Sequence, residues 1–120
     1  MSTKIVLEEK FNAFSEPWAP RIVAQLNGQE VRLVKLLGAL DWHYHESGDE
    51  LFLIIRGTVL MELRDLSIDL AEGEMFVVPR GVEHRPFAAF EAWVLLFEPA
   101  GTVNRLSPGG KLLPADARRL

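Results

Sequence analysis

Apolar and polar positions alternate along most of the chain with a period of two, as expected for β-strands, whose successive side chains point to opposite faces. Turns that contain Gly, Asp or Pro separate the alternating segments. These segments read RIVAQL, EVRLVKLLGAL, WHYH, ELFLIIRG, TVLMELRD, SIDLAEGE, MFVVPRG and AWVLLFEP. The pattern predicts an all-β protein.

The two ends of the chain depart from this regular pattern. Near the start, KIVLEEKF could form a first strand, and NAFSEPWAPR then interrupts it with two prolines, which leave room for one short helical turn at most. Asn27 and Gly28 both tolerate positive φ, so they predict a hairpin after RIVAQL. Residues 100–120 lose the alternation, and we interpret them as an extended tail with room for a final helical turn.

Several short strands can pack as a sandwich or close into a barrel, and a closed barrel leaves an interior that can hold a ligand. A chain of 120 residues is long enough for one domain and too short for two domains with separate cores. We therefore expect residues 1–120 to form a single domain built on an antiparallel β-barrel.

The segment ELFLIIRG predicts an apolar outer face as well as an apolar interior. If Glu50 points inward, alternate residues follow it, and the residues between them point outward. The inward set is Glu50, Phe52 and Ile54, and the outward set is Leu51, Leu53 and Ile55. We expect a second subunit to cover the outer face, which predicts a homodimer with Trp42 and Tyr44 as additions to its interface. Cover by the N-terminal segment or the tail is the alternative.

Composition narrows the classes of partner and of chemistry. The net charge of −4 gives no electrostatic reason to bind nucleic acid or an anionic membrane. No apolar window is long enough to span a bilayer, so we expect a cytoplasmic protein whose partners are small molecules or proteins. The chain contains no cysteine, so any metal ion must be held by nitrogen and oxygen ligands.

The three histidines of the chain are the strongest candidates for such ligands. His43 and His45 lie two residues apart in a strand, so their rings leave the same face with Cα atoms roughly 7 Å apart, close enough to bind one ion. Glu50 follows a tight turn and can bring a carboxylate to the pair. His84 lies in VPRGVEHRPF, where a turn can deliver one more imidazole to the barrel mouth.

These residues resemble both sequence motifs of the cupin superfamily of small β-barrels. The first motif, residues 38–57, has one residue fewer than usual after its first glycine. The second motif, residues 73–88, has Ala88 where the family usually has asparagine, a residue that is not usually a metal ligand there. The matching positions are Gly38, His43, His45, Glu50 and Gly57 in the first motif and Gly73, Pro79, Gly81 and His84 in the second.

The resemblance implies a cupin-type, jelly-roll-like antiparallel barrel that holds one divalent metal ion on His43, His45, Glu50 and His84. Ligation by nitrogen and oxygen suits Fe, Mn, Ni, Co or Zn, and affinity alone does not choose among them. The chain also resembles small stand-alone cupins that are labelled as relatives of mannose-6-phosphate isomerase. Two alternatives remain for this site. In the first, no metal binds, and the histidines hydrogen-bond only to one another and to Glu50. In the second, Asp49 supplies the carboxylate in place of Glu50.

The function that the resemblance implies is that of a metal-dependent isomerase, lyase or dioxygenase that acts on a small oxygen-rich metabolite such as a sugar or carboxylate. Two alternatives remain: a non-catalytic small-ligand sensor, and a structural homodimer stabilised by its metal. The sequence identifies no catalytic acid or base. Glu62 could face in or out, and Arg80 or Arg85 could meet an anionic substrate.

Overall fold

One α-helix and ten β-strands form within the described residues, 4–106 and 118–119, of the computed structural model. The strands belong to one sheet, and all of their pairings are antiparallel except the parallel pairing of β1 with β10. The all-β prediction is therefore confirmed. The elements are α1 (Leu7–Phe11), β1 (Arg21–Leu26), β2 (Gln29–Ala39), β3 (His43–Tyr44), β4 (Glu50–Arg56), β5 (Val59–Leu63), β6 (Ser67–Leu70), β7 (Met75–Val78), β8 (His84–Pro99), β9 (Arg105–Leu106) and β10 (Arg118–Arg119).

The strand predicted for KIVLEEKF is wrong, because this segment contains the helix α1. Glu8 and Glu9 lie in its first turn and Lys10 in its last, an arrangement that favours a helix through its dipole. Leu7 and Phe11 lie one helical turn apart, and both pack in the same apolar cluster. In so short a segment, an apolar pattern fits a strand and a helix equally well.

The predicted hairpin is confirmed, since Asn27 and Gly28 have φ values of 52° and 75° and connect the antiparallel strands β1 and β2. Gly57, at the end of β4, also has a positive φ of 86°. A side chain there would bring its Cβ within 3.2 Å of the Cα atom of Ala92, so the site requires glycine both for its conformation and for its space.

The long strand β8 organises the barrel. It pairs with β2 along one edge, and along the other it pairs with β4 and β5. Its register with β2 shifts between Leu36 and Gly38, and such a bulge bends a strand. The bend lets both ends of β8 contribute side chains to the barrel interior, with His84 at the first end and Glu98 at the second.

Two apolar clusters lie on opposite sides of this sheet. The inner cluster includes Phe52 and Ile54, which confirms the inward face predicted for β4. The outer cluster forms around Phe11, Phe14 and Trp93, with the Phe11 and Trp93 rings stacked at a centroid distance of 4.6 Å. Half-buried Ile55 packs against it, so the N-terminal segment covers part of the outer face, as the alternative prediction proposed.

Most of the predicted tail, residues 107–117 and 120, lies outside the described residues. Within the described part, Arg105–Leu106 pairs with β3, and Arg118–Arg119 pairs with β1, so the final helical turn is not formed at those four positions. Among the described residues, no helix is long and apolar enough to cross a membrane.

Candidate metal centre

Three of the predicted ligands converge inside the barrel. Nε2 of His45 lies 2.8 Å from Oε1 of Glu50, and Nε2 of His84 lies 3.7 Å from the same oxygen. One potential ligand atom from each of the three residues lies within 4.8 Å of the others. Both histidines are 0% exposed and Glu50 is 5% exposed. A buried set of two imidazoles and a carboxylate is a donor set suited to a divalent ion.

Short connections bring these residues together. Glu50 is the first residue of β4 and His84 is the first residue of β8, while His45 follows directly after β3. The backbone N–H of Gly81, in the second motif, donates a hydrogen bond of 2.8 Å to the carbonyl of His45. The turn before β8 is therefore fastened to the first motif, and this contact fixes the separation between His45 and His84.

Backbone carbonyls orient all three imidazoles. Nδ1–H of His43 donates to the Asp41 carbonyl and Nδ1–H of His84 donates to the Val82 carbonyl, both at 2.9 Å. Nδ1 of His45 makes a longer contact of 3.4 Å with the Gly48 carbonyl. In each ring, the carbonyl occupies Nδ1 and leaves Nε2 as the nitrogen available to a metal. This arrangement is the usual way in which proteins fix the tautomer of a metal-binding histidine.

His43 lies beside the group of three without belonging to it. Its ring centroid is 4.4 Å from that of His84, and its side chain borders the same cavity as Glu50. His43 is buried, with 3% of its surface exposed. Its role as a fourth ligand stays a prediction.

The charges of His45, Glu50 and His84 favour a positive charge between these three residues. Burial opposes ionisation of Glu50, but the hydrogen bond from His45 and the nearby imidazole of His84 outweigh burial and hold the pKa of Glu50 well below its ordinary value. Burial alone lowers the pKa of His45, yet the hydrogen bond with Glu50 raises it overall. Burial and the neighbouring His84 lower the pKa of His43 to about 4. A proton between His45 and Glu50 thus supplies the charge that a divalent ion would supply there.

The ring of His84 shows whether the site is suited to a metal ion. Its Nε2 is buried and, within residues 4–106 and 118–119, has no hydrogen-bond partner. A buried polar atom without a partner is destabilising, and a bound water or ion commonly satisfies such an atom. The residues present fit a divalent ion, because such an ion would satisfy His84 Nε2 and the Glu50 carboxylate together.

Three buried charged residues that were not predicted from the sequence extend the site. The carboxyl of Glu98 lies beside Glu50, and Arg32 Nη1 lies 3.3 Å from Glu98 Oε1. Arg32 Nη2 also lies 2.6 Å from Glu30 Oε1. Burial and the adjacent Glu50 charge raise the pKa of Glu98 to about 10, so Glu98 carries a proton at neutral pH. Oε2 of Glu98, like Nε2 of His84, is buried without a hydrogen-bond partner among the described residues.

The alternation of inward and outward side chains along the strands could have identified these residues from the sequence. Glu30 and Arg32 alternate with outward residues on β2 and share the face of Val34, while Glu98 shares the face of Leu96 on β8. All of them are inward positions in the period of two. The alternation that predicts the inward face of β4 therefore also identifies the inward residues of β2 and β8.

A cavity of about 190 Å³ opens beside the metal group. One part of its lining is polar, and the rest is apolar. The polar side chains are Arg32, His43, Glu50, Glu98, Thr102 and Asn104. The apolar side chains include Trp18, Val34, Leu36, Leu40, Phe52 and Leu96.

The other charged candidates lie outside the group of three. Asp49 is exposed and accepts a hydrogen bond of 2.9 Å from the Arg80 backbone N–H, as expected for an outward residue. Glu46 is exposed and pairs with Arg105 at 3.0 Å. Arg85 pairs with Glu62 at 2.7 Å, and neither residue borders the cavity. The arginine that borders the cavity is Arg32, which the sequence analysis did not consider.

Comparison with known proteins identifies the family. The family model for the cupin domain matches residues 36–98, which is more than half of the chain. The protein therefore belongs to the cupin family, and its β-barrel is the cupin fold.

Individual relatives agree with this assignment. A solved cupin-2 domain protein from Shewanella frigidimarina is 41% identical, with a TM-score of 0.78, and the match covers 79% of this chain and 93% of that one. A solved protein from Neisseria meningitidis is 34% identical, with a TM-score of 0.75 and coverage of 82% and 100%. An uncharacterized Bacillus subtilis protein, YdbB, is 32% identical over 62% of this chain, and the match covers 66% of that protein, slightly less than two thirds.

Proposed function

We propose that this cupin is a mononuclear divalent-metal enzyme, an isomerase, lyase or dioxygenase, that acts on a small metabolite with oxygen donors such as a sugar or carboxylate. His43, His45, Glu50 and His84 would hold the ion, which would be Fe, Mn, Ni, Co or Zn. The observation that carries the proposal is the buried, unpartnered Nε2 of His84, 3.7 Å from Glu50. A bound ion would polarise substrate oxygens and so acidify a neighbouring C–H bond, or would bring substrate and O₂ together.

The residues of the chain prepare the cavity for such chemistry. The backbone carbonyls of Asp41 and Val82 hold two imidazoles in place, so these rings need not reorganise when an ion or substrate binds. The apolar wall excludes water from the space beside Glu50. Glu98 holds a proton at its carboxyl and borders the same cavity as Glu50. We propose Glu98 as the acid that donates its proton to a substrate oxygen, because it is protonated and borders the cavity.

The first experiment measures metal binding alone. Protein stripped with a chelator is titrated with Mn²⁺, Co²⁺, Ni²⁺ and Zn²⁺, and with Fe²⁺ under argon, by calorimetry and elemental analysis. We expect one ion per chain. Glu50→Gln should weaken binding by at least tenfold, whereas the matched variant Glu46→Gln should bind normally because Glu46 is exposed. Equal binding by these two variants would remove the proposal.

The second experiment asks whether the metal-loaded protein reacts. An isomerase or lyase that removes a proton next to a carbonyl should exchange that proton with deuterium from D₂O, which mass spectrometry detects. A dioxygenase should instead consume O₂. A panel of α-hydroxy ketones and carboxylates is tested for both readouts. Glu98→Gln should slow exchange while it retains the metal.

A non-catalytic sensor is the second candidate, favoured by the mainly apolar cavity beside the ion site. Binding pockets without chemistry have this character too. Saturable binding with neither deuterium exchange nor O₂ consumption would favour the sensor over the enzyme. If the metal stabilises the fold and no small molecule binds, the result would favour a purely structural role for the metal.

We also propose that the protein is a homodimer. Among the described residues, β7 pairs only with β4, so its other edge is open. Met75 and Val77 on β7 are 61% and 44% exposed, and they lie across from Leu53 and Leu51. The resulting apolar surface on an open edge supports association with a second copy.

Light scattering tests the dimer through a pair of matched variants. Val77→Asp should yield monomers, whereas Val103→Asp, at another exposed valine, should remain dimeric. A monomeric unmodified protein would contradict the proposal.

The cytoplasmic location predicted from the sequence stays a prediction.

A further inference from the structure

The cavity beside the ion site shows a division between a polar part and an apolar part that limits what can bind there. Glu50 and His43 border it where the ion would lie, and Arg32 and Glu98 belong to the same polar part. Thr102 and Asn104 are the other polar residues of the lining. The apolar part consists of six large side chains and two prolines: Trp18, Val34, Leu36, Leu40, Phe52 and Leu96, with Pro20 and Pro86.

Two polar side chains of this lining, Arg32 and Thr102, are already engaged by the protein. Glu98 Oε2 is buried without a hydrogen-bond partner among the described residues, and Glu98 belongs to the polar part beside Glu50. The guanidinium of Arg32 donates hydrogen bonds of 3.0 and 2.6 Å to Glu30, and it also lies 3.3 Å from Glu98. The Thr102 hydroxyl donates to the Pro99 carbonyl at 2.6 Å. A phosphate that bound to Arg32 would therefore have to displace existing bonds, and an unmet polar group in such a site is costly.

Trp18 also presents only an apolar surface to the cavity, because its N–H groups are occupied by hydrogen bonds within the protein. Its indole N–H donates to the Leu37 carbonyl at 2.8 Å, and its backbone N–H donates to the Lys35 carbonyl at 2.9 Å. These bonds hold Trp18 in the left-handed region, at φ 60°, which is uncommon for an aromatic residue and is found preferentially at ligand sites. With its N–H engaged, the side chain offers the cavity only its ring.

The size of the cavity sets the size of the occupant. At about 190 Å³ it is somewhat larger than the engineered cavity of about 150 Å³ that holds benzene. One six-membered ring with a short oxygen-bearing substituent would therefore fill it. A larger molecule would leave part of itself outside.

We infer that the substrate or ligand of this site is a compact molecule with a hydrocarbon body of about one aromatic ring and oxygen donors at one end only. Those oxygens face the ion beside Glu50, and the ring lies against Trp18 and Leu40. This inference rests on the proposed function for the position of the ion. It narrows the substrate class from oxygen-rich metabolites to those with a single polar end.

Three α-hydroxy ketones with the same chelating head and different bodies test the inference. They are 2-hydroxyacetophenone, with a phenyl body, hydroxyacetone, with a methyl body, and dihydroxyacetone, with a polar hydroxymethyl body. Calorimetry with the metal-loaded protein should show that 2-hydroxyacetophenone binds at least about tenfold more tightly than dihydroxyacetone, because burial of apolar surface favours the ring. Hydroxyacetone should bind with intermediate affinity.

A pair of variants tests whether the phenyl ring of the ketone lies in the cavity. Leu40→Gln puts a polar group in the wall and should reduce the preference for 2-hydroxyacetophenone at least threefold. Leu66→Gln, the same change at a residue that is 48% exposed, should leave the preference unchanged. Equal responses of the two variants would overturn the inference. It would also be overturned by equal or tighter binding of dihydroxyacetone, or by no saturable binding of 2-hydroxyacetophenone at millimolar concentration.

Metal binding is titrated before any ketone is added, so that the two proposals can fail separately. Loss of metal binding would contradict the proposed function. In that case the metal-free protein still compares the three ketones, because the apolar wall does not depend on the ion. Normal metal binding without a preference for the phenyl ketone would overturn only the substrate class.

Discussion

Nε2 of His84 lies 3.7 Å from Oε1 of Glu50, a separation too long for a good hydrogen bond. Both atoms belong to buried side chains, and the nitrogen has no hydrogen-bond partner within the described part of the chain. The same carboxylate oxygen accepts from His45 at 2.8 Å. The asymmetry leaves a space between an imidazole and a carboxylate that suits a cation better than a proton.

Metal binding should stabilise the fold through these residues. At a free ion concentration about 100 times the dissociation constant, linkage predicts a gain of about 2.7 kcal/mol in the free energy of unfolding. Thermal unfolding of the metal-free protein, with and without added Zn²⁺ or Mn²⁺, measures the gain. His84→Ala should lose most of it, whereas Glu46→Gln should retain it. A His84→Ala protein that responds like the unmodified protein would show that the ion binds elsewhere.

Glu98 should behave as a neutral group in the metal-free protein. Burial and the Glu50 charge raise its pKa to about 10, from 4.5, so the stability that it contributes is present below pH 4.5 and is lost as the pH rises towards 10. Glu98→Gln keeps a neutral hydrogen-bond donor beside Glu50. It should therefore gain stability relative to the unmodified protein as the pH rises from 5 to 9.

Urea unfolding at several pH values checks this behaviour, with Glu98→Ala as the comparison. The alanine variant loses the contact of Glu98 with Arg32, and should be destabilised by about 1–3 kcal/mol. If Glu98→Gln were as unstable as Glu98→Ala at pH 8, Glu98 would have to be ionised in the folded protein.

Glu30 should stabilise the protein in the opposite pH range. Burial opposes its ionisation, but hydrogen bonds from Arg32 and Gln25 hold the pKa of Glu30 below its ordinary value of 4.5. Its contribution is thus present above pH 4.5 and is lost as the pH falls through the lower pKa of the folded state. Glu30→Gln should cost about 2 kcal/mol at pH 7, and much less at pH 3.

Unfolding curves at the two pH values check the Glu30 prediction, with Glu16→Gln as a control at an exposed glutamate. The control should change stability by less than about 0.5 kcal/mol at either pH. A Glu30→Gln cost that stays constant between pH 7 and pH 3 would mean that the charge on Glu30 is unimportant.

The stacking of Phe11 on Trp93 should be a major contribution of the N-terminal helix. Phe11 is 0% exposed, and its replacement by alanine should destabilise the protein by about 3–5 kcal/mol. Phe90→Ala is the matched control, because Phe90 is 85% exposed and should contribute within about 0.5 kcal/mol. Urea unfolding compares them, and similar losses would mean that α1 does not dock on β8 in solution.

Local features of the sequence were sufficient to predict much of the site. The alternation in β4 placed Glu50 inward and Asp49 outward, because the side-chain period of a strand is fixed by backbone geometry. The spacing of the two motifs also selected His45 and His84, which the structure places within ligand distance of Glu50.

The first helix was not predictable in this way. A five-residue segment with apolar ends fits a strand and a helix alike, and the contacts of Phe11 with Phe14 and Trp93 decide between them. The partial cover of the outer face depends on the same contacts, since Ile55 packs against the cluster that contains Phe11 and Phe14.

The sequence by itself determined the β-strand period, the hairpin at Asn27 and Gly28, and the residue types that can bind a metal. These properties depend on backbone geometry and on side-chain chemistry, which are local. Only the tertiary structure decided that Glu98 lies beside Glu50 and that Arg32 is engaged by Glu30 and Glu98. Those pairings depend on the register and the bend of β8, which bring together residues far apart in the chain, and a charged residue's burial and pKa follow from its neighbours in space.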